Sequence, residues 1–116
     1  MPHFVVECSR SILQYQPEEA ILQRLHEAAV ASGLFDEHDI KVRVHPYAVQ
    51  SVGGSARDFI HVFASIMEGR SVAQRADLSR RLVETLVAMF PQVAYIAANI
   101  SEFEKATYCN RAMLGS

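Results

Sequence analysis

Apolar residues along this chain recur with two different periods, and the switches between them mark the elements. Residues 2–8, PHFVVEC, are rich in β-branched and aromatic side chains and are followed by polar Ser9, Arg10 and Ser11, which predicts a strand. From Pro17 to Ser32 the spacing turns helical. Ile21, Leu25, Ala28, Ala29 and Ser32 share a face, Glu18 and Glu19 occupy the first turn, and Gly33 stands just past the end. Residues 39–46, DIKVRVHP, alternate Ile40, Val42 and Val44 against Lys41, Arg43 and His45, the period of a strand with one apolar and one polar face. Pro46 is expected to limit its pairing.

After the breaker Ser51-Val52-Gly53-Gly54-Ser55 the same order returns. Residues 58–67, DFIHVFASIM, predict a strand, and Leu78, Leu82, Leu86 and Met89 carry a helical pattern from Ser71 to Phe90. Ser71 with Gln74 forms a capping-box signature. A closing strand, VAYIAANI, is predicted over residues 93–100, before a polar tail. The order β-α-β-β-α-β describes one α+β domain over residues 1–116, with a pseudo-repeat of about 2–46 and 57–102. A strand, crossover helix and strand close right-handed with their strands parallel, so two such units side by side give a four-stranded sheet with both helices on one face. The other face stays open. In so small a domain that face needs a partner, which argues for a closed homo-oligomer.

Composition narrows the function classes. The 13 acidic and 11 basic residues, a formal charge of −2, are spread along the chain and leave no basic stripe for a phosphate backbone, so nucleic acid is not an expected partner. No apolar run approaches the roughly 20 residues of a membrane helix, and MPHFVVECSR does not read as a signal peptide, so the expected location is the cytoplasm, off the membrane. Cys8 and Cys109 read as unbridged thiols. His3, His26, His38, His45 and His61 show no HxH or HExxH spacing, so no metal site is expected. The serines fit no nucleophile elbow, and Gly53-Gly54 precedes no phosphate-binding pattern.

Four residues remain as candidates for chemistry. Pro2 follows Met1, and a small penultimate residue is compatible with Met removal, which would leave a free prolyl amine. Burial beside cations lowers the pKa of such an amine, and a neutral amine at pH 7 is a usable general base. The plain alternative is a proline that only starts a strand. Arg43 stands in the alternating segment KVRVH on the same side as Lys41 and His45; it is either part of a solvated face or a bidentate clamp for a carboxylate. Arg70, between Gly69 and Ser71, sits at a strand-to-helix turn of the kind that carries anion sites, while Glu68 beside it reads as a turn residue. His45 is a candidate substrate contact, or else a histidine that hydrogen-bonds within the fold.

The segments PHFVVECS, KVRVH and EGRS together resemble the 5-carboxymethyl-2-hydroxymuconate isomerase family of the tautomerase superfamily, over residues 2 to about 102. The stretch IMEGRSVAQRADLSRRLVETL is also similar to the strand-turn-helix of 4-oxalocrotonate tautomerase, whose shorter chain corresponds to one βαβ unit. The resemblance implies that Pro2 is the catalytic proline and that Arg43 and Arg70 bind the carboxylate and carbonyl ends of an unsaturated 2-hydroxy or 2-oxo acid. It also implies a homotrimer with sites near subunit boundaries and no metal or organic cofactor. The tail EKATYCNRAMLGS and the stretch AVQSVGGSARD do not follow the family pattern, and both are candidates for the pocket wall. Two other functions stay open: a trimeric binding protein on the same fold, and a proline-dependent dehalogenase or decarboxylase, for which no water-activating group is identifiable.

Overall fold

The computed structural model describes residues 1–115. Strand β1 (His3–Ser9) is followed by helix α1 (Glu18–Ala31) and strand β2 (Lys41–Tyr47), and then by β3 (Phe59–Met67), helix α2 (Val72–Met89) and β4 (Tyr95–Phe103). The four strands form one sheet in the order β2-β1-β3-β4. β1 pairs parallel with β2 and antiparallel with β3, and β3 pairs parallel with β4. The two βαβ units predicted from periodicity therefore join through β1 and β3, and that central pairing is the one junction the right-handed crossover rule leaves undetermined.

Alternation decides which side of the sheet is covered. Phe4, Val6 and Cys8 of β1 and Ile60, Val62, Ala64 and Ile66 of β3 are buried. They pack in one core with Ile21, Leu25 and Ala29 of α1 and with Leu78, Leu82, Leu86 and Met89 of α2. The intervening residues, among them Val5, Arg43, Phe63, Ser65 and Asn99, occupy the opposite face, which no helix covers. Phe63 is 42% exposed there, a large aromatic surface left open to solvent in the single chain.

Element ends follow local chemistry, with three departures from expectation. Helix α1 starts one residue later than predicted, because Pro17 takes the N-cap position, where its carbonyl accepts from the Ala20 and Ile21 N–H groups. Pro46 does not end β2. It lies inside the strand opposite Cys8, which is tolerated because β2 is an edge strand and has pairing demands on one side only. The last strand runs from Tyr95 to Phe103, beyond the predicted end at Ile100. Glu102, whose polarity suggested a stop, is held by Arg75 of α2 at 3.6 Å, so the charge is compensated in place. The capping box of α2 is complete: Ser71 Oγ accepts from the Gln74 N–H at 3.1 Å, and Gln74 Oε1 accepts from the Ser71 N–H at 2.9 Å.

Candidate active site

The start of β1 sits beside the start of β2 and the end of β3. His3 faces Lys41 on one side and Ser65 on the other. Pro2, just before β1, is buried, and its carbonyl accepts from the Lys41 N–H at 3.1 Å. Arg43 lies two residues further along β2, about 7 Å at the rise of a strand. The turn after β3, Glu68-Gly69-Arg70, arrives at the same end of the sheet, and Gly69 adopts φ +124°, a conformation that disfavours any side chain. Sheet topology therefore gathers Pro2, Arg43 and Arg70 at one end, although they are separated by up to 68 positions in the chain.

An open cleft of about 400 Å³ occupies the uncovered face at this end, with His3, Val5, Arg43 and Ser65 on its sheet side. Its far wall is the C-terminal tail. Phe103 stacks on Tyr108 with ring centres 5.4 Å apart, which folds Glu104, Thr107 and Tyr108 over the cleft. The Lys105 N–H donates to the Glu68 carboxylate at 2.7 Å and the Glu68 N–H to the Phe103 carbonyl at 3.1 Å, tying the tail to the turn that carries Arg70. Glu68 thus anchors a pocket wall, a role its place in a turn did not reveal.

The individual candidates differ in their surroundings. Arg43 is exposed, and its Nη1 donates to His3 Nδ1 at 3.1 Å. Arg70 is half-buried and turned toward the backbone, donating through Nη2 to the Leu34 carbonyl at 2.7 Å and through Nη1 to the Met67 carbonyl at 3.3 Å. It lines a separate depression with Gly33, Leu34, Glu68 and Gln74. His45 is one step further from Pro2 than Arg43, stacks on Tyr47 at 4.6 Å, and lies outside the residues lining the cleft. His3, which the sequence offered only as one of five histidines, stands in the cleft itself. Its position directly after Pro2 and one pleat from the arginine strand is a signal that becomes readable once β1 and β2 are paired.

Electrostatics at this end disfavour protonated amines and imidazoles. Burial and the Lys41 ammonium lower the pKa of the chain-terminal amine below its ordinary 8.0, with a smaller contribution in the same direction from Arg70 and an opposing one from Asp39. Burial, then Arg43 and Lys41, lower that of His3 below 6.5. Such a site favours a neutral base and an anionic ligand. Among the described residues no group of three or more His, Cys, Asp or Glu side chains is placed to hold a metal ion, and no helix is long and apolar enough to cross a membrane.

Comparison with known proteins shows the family and supports the fold. The chain is 28% identical over 92 residues to 5-carboxymethyl-2-hydroxymuconate Delta-isomerase of Escherichia coli, covering 78% of this chain and 73% of that one. Its fold is similar to that of a 5-carboxymethyl-2-hydroxymuconate isomerase from Deinococcus radiodurans R1, with a TM-score of 0.83 at 23% identity over 95% and 88% of the two chains. A fused 4-OT described as an asymmetric trimer superposes with a TM-score of 0.81 at 17% identity, over 98% of this chain and 99% of the other. The family model of 5-carboxymethyl-2-hydroxymuconate isomerase matches residues 2–111, nearly the whole described chain and most of the tail that walls the cleft, and the chain belongs to that family.

Proposed function

We propose that the chain, once Met1 is removed, isomerises 5-carboxymethyl-2-hydroxymuconate or a close unsaturated 2-hydroxy or 2-oxo polycarboxylic acid, with the Pro2 amine as the acid and base. The observation that carries this reading is the placement of buried Pro2 at the cationic end of the sheet, beside the strand that holds Arg43. Removing Met1 converts the Pro2 nitrogen from an amide to a secondary amine at that spot. Burial and Lys41 already lower the pKa of the Met1 amine. The Pro2 amine, one residue further along the chain, is taken to have its pKa lowered by the same causes.

In this mechanism neutral Pro2 abstracts a proton from the substrate, giving a dienolate, and the resulting prolyl ammonium returns the proton to a different carbon of the conjugated system. The negative charge that develops is balanced by Arg43 at the cleft, while Arg70, whose Nη1 and Nη2 hold backbone carbonyls, contributes as a nearby cation at the same end of the sheet. His45 lies on the same face of β2 as Arg43 but outside the cleft lining, so its proposed part is to extend the polar surface available to a second carboxylate. No external cofactor is required, because proton removal and return use one group.

The uncovered sheet face, with half-exposed Phe63 and Tyr95, supports assembly of three copies around their sheets. A structural neighbour described as a trimer supports the same assembly. The deciding experiment is intact mass of the purified chain followed by an ultraviolet assay of 5-carboxymethyl-2-hydroxymuconate conversion by the wild type and by Pro2→Ala. Turnover by a Met-free chain, lost in the variant, is the expected result; a Met-free wild type that converts no such acid refutes the proposal.

A further inference from the structure

The side chain that aims Arg43 deepens the reading above and rests on Arg43 being the carboxylate clamp. Arg43 is exposed on an edge strand, and no carboxylate lies within salt-bridge distance of it among the described residues. Its side-chain hydrogen bond runs to His3 Nδ1 at 3.1 Å, across the β1–β2 ladder. A guanidinium has five N–H donors and no acceptor, so Nδ1 must contribute its lone pair. That bond therefore requires an unprotonated Nδ1, which in a neutral imidazole puts the ring proton on Nε2.

We infer that His3 is a positioning residue: by accepting from Arg43 through Nδ1, it holds the guanidinium at the cleft with its remaining N–H donors presented to a substrate carboxylate. A neutral acceptor suits this task. A carboxylate in the same place would neutralise the arginine and compete with the substrate for its donors. A long side chain left unrestrained would have to be ordered by each substrate molecule at a cost in affinity.

The groups around His3 keep it in that form. Arg43 and Lys41 approach from β2, the chain-terminal amine from the start of β1 and neutral Ser65 from β3, while Glu104 on the tail is the one acid lining the cleft. Burial, then Arg43 and Lys41, lower the His3 pKa below 6.5, with the least contribution from the Met1 amine that the Met-free chain lacks, so the ring stays neutral as pH falls through 6.5 and protonates only below that point. Once protonated, Nδ1 turns from acceptor to donor and the ring repels Arg43.

The test compares wild type, His3→Leu, His3→Asn and Arg43→Ala, each Met-free and checked by thermal melting, in steady-state assays with 5-carboxymethyl-2-hydroxymuconate. Asn carries its acceptor oxygen where His carries Nδ1. His3→Leu is expected to raise KM about tenfold with a smaller change in kcat; the wild-type KM is expected to rise on the acid side, and His3→Asn to restore most of the loss and to remove that rise. An unchanged KM in His3→Leu beside a raised KM in Arg43→Ala overturns the inference, as does a His3→Asn variant as impaired as His3→Leu. Unchanged kinetics in Arg43→Ala refutes the clamp itself. If the wild type converts no substrate, imidazole nitrogen NMR gives an answer independent of turnover: an Nε2–H tautomer whose pKa rises in Arg43→Ala supports the pairing, and an Nδ1–H tautomer excludes it.

Discussion

Arg70 Nη2 donates to the Leu34 carbonyl at 2.7 Å, and the same guanidinium lies over the Phe35 ring at 5.1 Å from its centre. The arginine thereby links the turn after β3 to the segment after α1, two parts of the chain 36 positions apart. A residue that the sequence offers as a substrate ligand also holds the end of the sheet together.

The two arginines should therefore separate by stability. Arg70→Ala is expected to cost about 2 kcal/mol of folding stability through its hydrogen bonds from a charged group, on top of any loss of turnover. Arg43→Ala, exposed on an edge strand, should shift stability by about 0.5 kcal/mol or less while lowering kcat/KM on the order of 100-fold. Urea titrations beside kinetics check both, and equal destabilisation by the two would contradict this division.

The Pro2 amine freed by Met1 removal is proposed to set the acid limb of the pH profile. Burial and Lys41 lower the pKa of the Met1 amine below 8.0, and if the same causes act on the Pro2 amine, the neutral base persists as pH falls through 8.0 and is lost only below that value. The profile of kcat/KM for the Met-free enzyme is expected to fall on the acid side with a midpoint below 8.0. Pro2→Ala should lower kcat by about 100- to 10,000-fold. A midpoint at or above 8.0 would show that the site does not depress the amine.

On the open face, Phe63 stacks on His61 at 4.2 Å with its surface turned outward. If the proposed trimer forms through this face, Phe63→Glu is expected to leave a monomer in size-exclusion chromatography with light scattering, because a carboxylate there would have to be desolvated on assembly. A variant that keeps the wild-type mass would place the subunit contact elsewhere.

Cys8 is fully buried, and burial, aided by Glu18, pushes its thiol up to about 11 from 9.0. A disulfide reagent at neutral pH is expected to leave Cys8 unmodified until denaturant is added. The folded state holds this proton more tightly than the unfolded one, so the associated stability is present below pH 9 and is lost between about 9 and 11. Cys8→Ala should flatten that part of the pH–stability curve; fast native labelling of Cys8 would contradict its burial.

The fold was legible because both units repeat one code. Alternation in KVRVH and the 3.6-residue spacing of Leu78, Leu82, Leu86 and Met89 are local patterns, and burial followed both. The errors fell where a long-range partner overrode local chemistry: Arg75 let β4 run through Glu102, and an edge position let β2 run through Pro46. The candidate site was legible only in part. Pro2, Arg43 and Arg70 were singled out by motif, whereas His3 and Glu68 gain their roles from residues 40 and 37 positions away.

The amino-acid sequence by itself determined the number and order of the strands and α-helices, and which face of each is buried, because these depend on side-chain period and on caps such as Ser71 with Gln74. Only the tertiary structure decided that β1 and β3 pair antiparallel at the centre, that the tail walls a cleft through Phe103 and Tyr108, and that Arg43 meets His3 while Arg70 meets Leu34. Those relationships are contacts between distant segments, set by how the sheet is assembled, and periodicity along the chain carries no signal for which strand edges will meet.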